Sequence, residues 1–248
     1  MRNILAARNR PHLRRFASRD ALVAFDFDGT LSPIVADPAD AEIGADTASL
    51  LDEVARRYPV AVISGRAVAD VTARLRGARV AAVVGNHGIE PSSWMHDAAA
   101  AVDAWAPALS AGLAGRDGVL VENKRHSLSV HYRHAPSTQE ARRAIHEVVE
   151  RLPGAVRVVD GHMVVNVVLE GAPHKGDALR TLAARFTATA VLFAGDDVTD
   201  EDAFAVLTDD DSLGVRVCRT GRTSARWFIP TQPDVDRLLA ELLAARPG

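Results

Sequence analysis

Short apolar runs rich in β-branched residues alternate with amphipathic stretches over the first third of the chain, and this alternation restricts the fold more than any other feature. Ala21 to Phe27 reads as a buried strand and Asp46 to Tyr58 as a helix with Leu50, Leu51, Val54 and Ala55 on one face. Val60 to Ile63 reads as the next strand, Ala67 to Leu75 as the next helix and Val80 to Val84 as a third strand. Each repeat of the pattern fits strand, crossover helix and parallel strand, so the expected class is α/β with a parallel sheet. With 248 residues, 48% of them apolar, the chain can bury such a core without disulfides.

The pattern then changes. Val119 to Lys124 and Ser127 to Arg133 are strand-like runs separated only by Arg125 and His126, which predicts an antiparallel hairpin. A helix follows, opened by Ser137 with Glu140 three residues later as a capping box and running to about Leu152. Val156 to Val159 and Met163 to Leu169 predict two more strands joined around Asp160 and Gly161. Residues 92–172 therefore read as an α+β unit inserted into a core formed by residues 1–91 and 173–248. The α/β alternation resumes with a helix from Lys175, a strand Ala190 to Ala194, a helix from Thr199, a strand Gly214 to Cys218 and a helix Pro233 to Ala245.

Charge and composition exclude several classes. A formal net charge of −3 lacks the basic excess of nucleic-acid binders, so no nucleic-acid partner is expected. No apolar run approaches the ~20 residues of a membrane span, so no membrane partner is expected either. The single cysteine, Cys218, reads as a small apolar residue on a buried strand and fits a reducing compartment. The basic first residues lack the apolar stretch of a signal peptide and read as a solvated leading helix. The expectation is a cytoplasmic monomer acting on a small molecule. The acidic run Asp209 to Asp211 reads as a solvated turn.

The chemistry concentrates in four places. Asp26-Phe27-Asp28-Gly29-Thr30 directly follows the first strand, and residues two apart on a strand share a face, so Asp26 and Asp28 are expected to converge at the carboxyl end of the sheet, where ligands bind in open α/β folds. Gly29 permits a tight turn that aims backbone N–H groups at an anion. A lone Asp-x-Asp could equally be a turn cap beside a solvated carboxylate. Ser64-Gly65-Arg66 closes the second strand at the same edge, although Ser-Gly alone is a common turn. Lys175 opens a helix from which its ammonium could neutralise a phosphoryl oxygen, and a lone lysine is ordinarily a surface residue. Gly195 to Asp202 carries Asp196, Asp197, Asp200, Glu201 and Asp202; acidic groups this dense repel one another unless a cation is bound, and oxygen-only ligands suit Mg²⁺. Thr199 could cap the helix that follows.

Taken in this order, the four segments resemble the motifs of the haloacid dehalogenase (HAD) superfamily of phosphotransferases, matched by Asp26 to Thr30, Ser64, Lys175 and Asp196 to Asp200. The resemblance implies a HAD-like Rossmannoid parallel-sheet core with an inserted α+β cap domain. It implies that Asp26 attacks phosphorus to give an aspartyl-phosphate, and that Asp28 protonates the leaving sugar oxygen and then activates water. Mg²⁺ on Asp26, Asp28, Asp196, Asp197 and Asp200, with Lys175, Ser64 and backbone amides, would neutralise the phosphoryl oxygens.

Asp26 to Ile34, Ser64 to Arg66, Gly85 to Gly88, Val121 to Lys124, His131 to Arg133 and Gly195 to Glu201 further resemble trehalose-6-phosphate phosphatases. That resemblance implies hydrolysis of a sugar phosphate under a mobile cap, with Thr30, Ser64, Gly65, Arg66, Asn86, His87, Lys124, His131 and Arg133 as substrate contacts. One departure stands out. Where the family usually carries a sugar-binding glutamate, this chain has Asn166-Val167-Val168-Leu169, with Glu170 a possible substitute. Asn166 can hydrogen-bond a hydroxyl but supplies no charge. This keeps open an alternative, a phosphatase of another disaccharide or pseudo-disaccharide (validoxylamine-type) phosphate. A non-catalytic binding module would require the loss of a motif residue, and none is lost.

Overall fold

The computed structural model describes residues 1–246 apart from positions 36, 162 and 220. It divides into two units, Met1–Gly88 with His174–Gly248, and Ile89–Pro173. The first unit begins with β1 (Arg2–Asn3), α1 (Arg10–Ala17), β2 (Ala21–Phe25), α2 (Ala45–Ala55), β3 (Val60–Ile63), α3 (Val68–Arg74) and β4 (Ala82–Val84). The second unit holds α4 (Met95–Gly112), β5 (Leu120–Asn123), β6 (Leu128–His131), α5 (Thr138–Val149), β7 (Val156–Gly161) and β8 (Val164–Leu169). The chain returns to the first unit with α6 (Lys175–Arg185), β9 (Ala190–Gly195), α7 (Glu201–Ala205), β10 (Leu213–Val217), β11 (Trp227–Ile229) and α8 (Asp234–Ala245).

The first unit is a parallel sheet in the order β1-β11-β10-β9-β2-β3-β4. Strand alternation explains its two cores. Ala21, Val23, Phe25, Val60, Val62, Leu192 and Ala194 face one side and pack with Leu13, Phe16, Leu51, Val54, Leu238 and Leu242 of the helices there. Leu22, Ala24, Ala61, Ile63, Val191 and Phe193 face the other and pack with Leu179, Leu182 and Phe204. From β2 the chain winds outward through β3 and β4, and after the second unit it resumes at β9 on the opposite side of β2. The carboxyl ends of β2 and β9 are thus a topological switch point, the crevice where such sheets bind ligands.

The second unit is an antiparallel sheet in the order β5-β6-β8-β7. Leu128, Val130, Val165 and Val167 point to one face and pack with Trp105, Leu109, Ile145 and Val149 of α4 and α5. The opposite face carries Glu122, Ser129, His131 and Asn166, which neighbour one another through the register.

Several local expectations are corrected. Helix α4 escapes a search for amphipathy because it is alanine-rich and contains Pro107, yet it buries the stripe Ala98, Val102, Trp105 and Leu109. Helix α1 is not merely solvated, since Leu13 and Phe16 are core residues. Asp209 to Asp211 is a bend exposed at Asp209 and Asp210 as expected, with Asp211 additionally held by Arg15 and Arg19 and Asp210 meeting Arg226 at the surface. Asp160 and Gly161 lie within β7 and pair with Val165 and Val164 instead of forming the turn. Cys218 sits one residue past β10 at φ 62°, only partly buried. Among the described residues no helix is long and apolar enough to cross a membrane.

Candidate active site

Strand β2 ends at Phe25, and Asp26 is the next residue, its N–H still bonded to the Ala194 carbonyl of β9 at 2.8 Å. The two strands thereby deliver Asp26 and, one residue past β9, Asp196 to the same crevice. Lys175, the first residue of α6, reaches in beside them. Its Nζ lies 2.9 Å from Asp26 Oδ1 and 2.7 Å from Asp200 Oδ1, and the ammonium is only 2% exposed. The helix start that places it is closed by His174, whose Nδ1 accepts from the N–H groups of Gly176 and Asp177 at 3.1 and 3.3 Å. Asp200 is fully buried and is oriented from its other oxygen, which accepts the Asp197 N–H at 2.9 Å. That bond, not a Thr199 cap, closes the turn before α7.

Asp26, Asp196 and Asp200 form a cluster in which one carboxylate oxygen of each lies within 4.8 Å of the others. Burial and the neighbouring carboxylates of Asp200 and Asp196 hold the Asp26 carboxyl well above its ordinary range, with Lys175 offsetting only part of this. Asp196 is pushed up to about 7 by burial first, then by Asp200 and Asp197. Burial works against the Lys175 charge, but Asp200 and Asp26 outweigh it and hold the ammonium above its ordinary range. The Lys175 and Arg216 charges thus offset only part of the mutual repulsion of the three carboxylates. Asp196 Oδ1 is buried with no hydrogen-bond partner among the described residues, and the donor set is all oxygen. This fits a hard divalent cation such as Mg²⁺, which would relieve the repulsion that otherwise favours protonation.

The backbone at the switch point is shaped for close approach. Gly29 has φ +74°, and a Cβ there would fall on the Asp196 carboxylate. Thr30 is fully buried and its Oγ1 has no hydrogen-bond partner among the described residues, which leaves a hydroxyl donor beside the cluster's own loop. Ser64, at the end of β3, is buried and its Oγ accepts the Arg66 N–H at 3.2 Å. The turn after β4 is laced to it. Asn86 N–H donates to Arg66 O at 2.8 Å and His87 N–H to Ser64 O at 3.0 Å, with both residues buried at positive φ. Gly65 leaves the room that the His87 ring occupies.

Asp28 is not placed by strand alternation. Because β2 ends at Phe25, the alternation stops before Asp28; a turn begins, with Ser32 N–H on Phe27 O at 2.8 Å. Asp28 turns instead to Arg66, which donates from Nε and Nη2 to its two oxygens at 2.7 Å each. Asp28 and Asp197 lie outside the cluster formed by Asp26, Asp196 and Asp200. Arg66, expected to touch substrate, is already engaged with carboxylates.

In the second unit, His131 Nε2 lies 2.8 Å from Glu122 Oε2, and Lys124 Nζ lies 3.6 Å from the same oxygen. Arg133 and Glu170 are exposed. Asn166 is not open to a ligand in the way expected. It is 4% exposed, its Oδ1 accepts Ser129 Oγ–H at 2.6 Å and its Nδ2 donates to Val159 O at 3.1 Å. Three participants were missed from sequence. Glu122 was findable, being two residues before Lys124 on one strand face. Asp70 was findable as the i+4 partner of Arg66. Arg216 was not, since only the fold shows it donating to Asp197 O at 3.0 Å and Glu201 Oε1 at 2.9 Å.

With this geometry in place, the comparisons are decisive for family. Residues 24–231 match the family model described as trehalose-phosphatase. The chain belongs to the trehalose-phosphatase family. It is 38% identical over 247 residues to a trehalose-phosphate phosphatase of Mycobacterium avium (strain 104), covering 92% of this chain and 59% of that protein. It is 37% identical over 215 residues to the protein of the same description in Mycobacterium tuberculosis (strain H37Rv), covering 77% of this chain and 52% of that one. The chain thus spans a little over half the length of these relatives. Among solved structures, the C-terminal domain of the Candida albicans trehalose-6-phosphate phosphatase superposes with TM-score 0.78 at 22% identity, covering 95% of this chain and 97% of that one. The sucrose-phosphatase of Synechocystis sp. PCC6803, solved with sucrose and phosphate, gives TM-score 0.58 at 16% identity over 90% of this chain and 98% of that one. At such identities these likenesses speak for the fold alone, a parallel α/β core carrying an α+β unit.

Proposed function

We propose that this chain hydrolyses trehalose 6-phosphate to trehalose and phosphate through an aspartyl-phosphate on Asp26. The observation that carries the reading is the buried constellation of Asp26, Lys175, Asp196 and Asp200 at the switch point, where one carboxylate is free of the sheet and held beside a fixed ammonium. An Asp26 oxygen attacks phosphorus as the bond to the sugar oxygen breaks, and that oxygen takes a proton from Asp28. In the second half, Asp28 takes a proton from water as the water oxygen bonds to phosphorus and the Asp26–phosphorus bond breaks, releasing inorganic phosphate. Lys175, the Ser64 and Thr30 hydroxyls and the turn amides bind the phosphoryl oxygens. Asp26, Asp196 and Asp200 would hold Mg²⁺, which when bound supplies further charge neutralisation there.

Residues Ile89–Pro173 serve as the specificity cap in this proposal, with Lys124, His131, Arg133 and Glu170 as the groups able to meet sugar hydroxyls. Asn166, the departure that opened the pseudo-disaccharide alternative, is engaged with Ser129 and Val159 and is left out of the sugar contacts in this reading. Phosphate release should be measured with trehalose 6-phosphate, sucrose 6-phosphate and glucose 6-phosphate in Mg²⁺. A kcat/KM that does not favour the trehalose ester overturns the substrate assignment. Asp26→Asn should abolish turnover, and residual activity above about 1%, a loss of only ~2.7 kcal/mol, overturns the covalent route.

A further inference from the structure

Arg66 carries four side-chain hydrogen bonds. Nε and Nη2 grip Asp28 at 2.7 Å, Nη2 also donates to Pro38 O at 2.9 Å, and Nη1 donates to Asp70 Oδ2 at 2.8 Å. A guanidinium has five N–H donors, and four of them are engaged by described residues. The group is 11% exposed and lies over the Phe27 ring, 5.6 Å from its centroid. Asp70 is itself held twice, since Arg74 Nε donates to its Oδ1 at 2.7 Å. Arg74 in turn donates to the carbonyls of Ala39 and Ala41 at 2.6 and 2.9 Å. The fork at Asp28 is therefore anchored to both α3 and the 38–41 loop.

We infer that Arg66 is a positioning residue for Asp28, braced by Asp70, rather than a substrate ligand. Asp28 lies beyond the end of β2 and its side chain is 44% exposed, so neither sheet nor core fixes its rotamer. A bidentate guanidinium does, because two parallel N–H···O bonds set the plane as well as the place of the carboxylate. Lysine supplies one point charge and cannot set that plane. Misplacing a reacting group by about 1 Å can cost about 10²-fold in rate. The loss falls on the step in which the Asp28 proton passes to the leaving oxygen as the phosphorus–oxygen bond breaks. It is felt by a sugar alcohol, which needs that proton, and hardly by 4-nitrophenolate, which leaves as the anion.

Resting on the proposed role of Asp28, the test compares first-turnover release of the alcohol from trehalose 6-phosphate and from 4-nitrophenyl phosphate, by quenched flow with the intact chain in Mg²⁺. Asp28→Asn should lower the ratio of the two rates by about 10²-fold or more, the scale of a general acid. Arg66→Lys and Arg66→Gln should lower it by about tenfold or more, and Asp70→Asn, which removes one brace, in the same direction by less. Low-millimolar guanidinium should restore part of the ratio in Arg66→Gln. If the Asp28 variant shows the selective loss and the Arg66 variants lower both rates equally or raise KM for both esters, Arg66 is a ligand or a structural residue and the inference is overturned. If Asp28→Asn itself leaves the ratio unchanged, the role of Asp28 fails first. Should Arg66→Gln not fold, Arg66→Lys and Asp70→Asn decide the matter by the same ratio.

Discussion

Replacing Lys175 by Met keeps the length and apolar stem of the side chain and deletes only its charge. The ammonium bridges Asp26 and Asp200 at 2.9 and 2.7 Å, with all three side chains at most 6% exposed. Removing one member of a buried ion group costs about 3–5 kcal/mol, because the charges left behind are uncompensated. The carboxylates can shed part of that cost by taking up protons, worth about 1.4 kcal/mol for each pH unit below a raised carboxyl pKa. Lys175 is held above its ordinary 10.5, so its own contribution is complete below that pH and is lost only in strong alkali. The difference between the two proteins from pH 5.5 to 8 therefore follows the carboxylates and is larger at pH 8. Urea unfolding in chelator at both pH values measures it. A difference under about 1 kcal/mol at pH 8, or one that grows toward acid, refutes the bridge as the stabilising contact. The same variant in Mg²⁺ should lose about 10²-fold or more in kcat, the scale of one oxyanion-stabilising donor.

Gly29→Ala should cost about 1–2 kcal/mol for the left-handed backbone and raise the Mg²⁺ concentration for half-maximal activity, because its Cβ displaces Asp196; unchanged Mg²⁺ dependence rejects the cradle. Asp196, pushed up from 3.8 to about 7, is a raised acid: its contribution to stability is complete below 3.8 and is lost as pH rises through about 7. The metal-free protein should therefore melt lower at pH 8 than at pH 5.5, and Mg²⁺ should raise Tm more at pH 8, where it competes with fewer protons. An equal Mg²⁺ shift at both pH values, read by calorimetry, refutes this. Asn166→Ala should destabilise the second unit by about 1–3 kcal/mol, since the Ser129 hydroxyl and Val159 carbonyl lose their partner. A fall in kcat/KM for trehalose 6-phosphate without loss of stability would instead make Asn166 a sugar contact.

The sequence by itself determined the parallel sheet, the inserted antiparallel hairpins and the identity of the charged residues at the switch point. Periodicity carried this much because strand and helix periods are local properties of consecutive side chains, and a run such as Ala21 to Phe25 or Val164 to Leu169 has no second way to bury itself. Helix α4 was illegible because alanine gives little contrast between faces. Only the tertiary structure decided which carboxylates act together. Asp26 and Asp28 are two apart in sequence, yet only Asp26 still bonds to β9 while Asp28 lies in the turn that follows, so one joins Asp196 and Asp200 and the other goes to Arg66. Asn166 has a polar side chain whatever the fold, but the pairing of β6 with β8 puts Ser129 beside it and turns it inward. Side-chain chemistry is written residue by residue, whereas desolvation and ion pairing depend on which residues the strand order β9-β2-β3 brings to one edge.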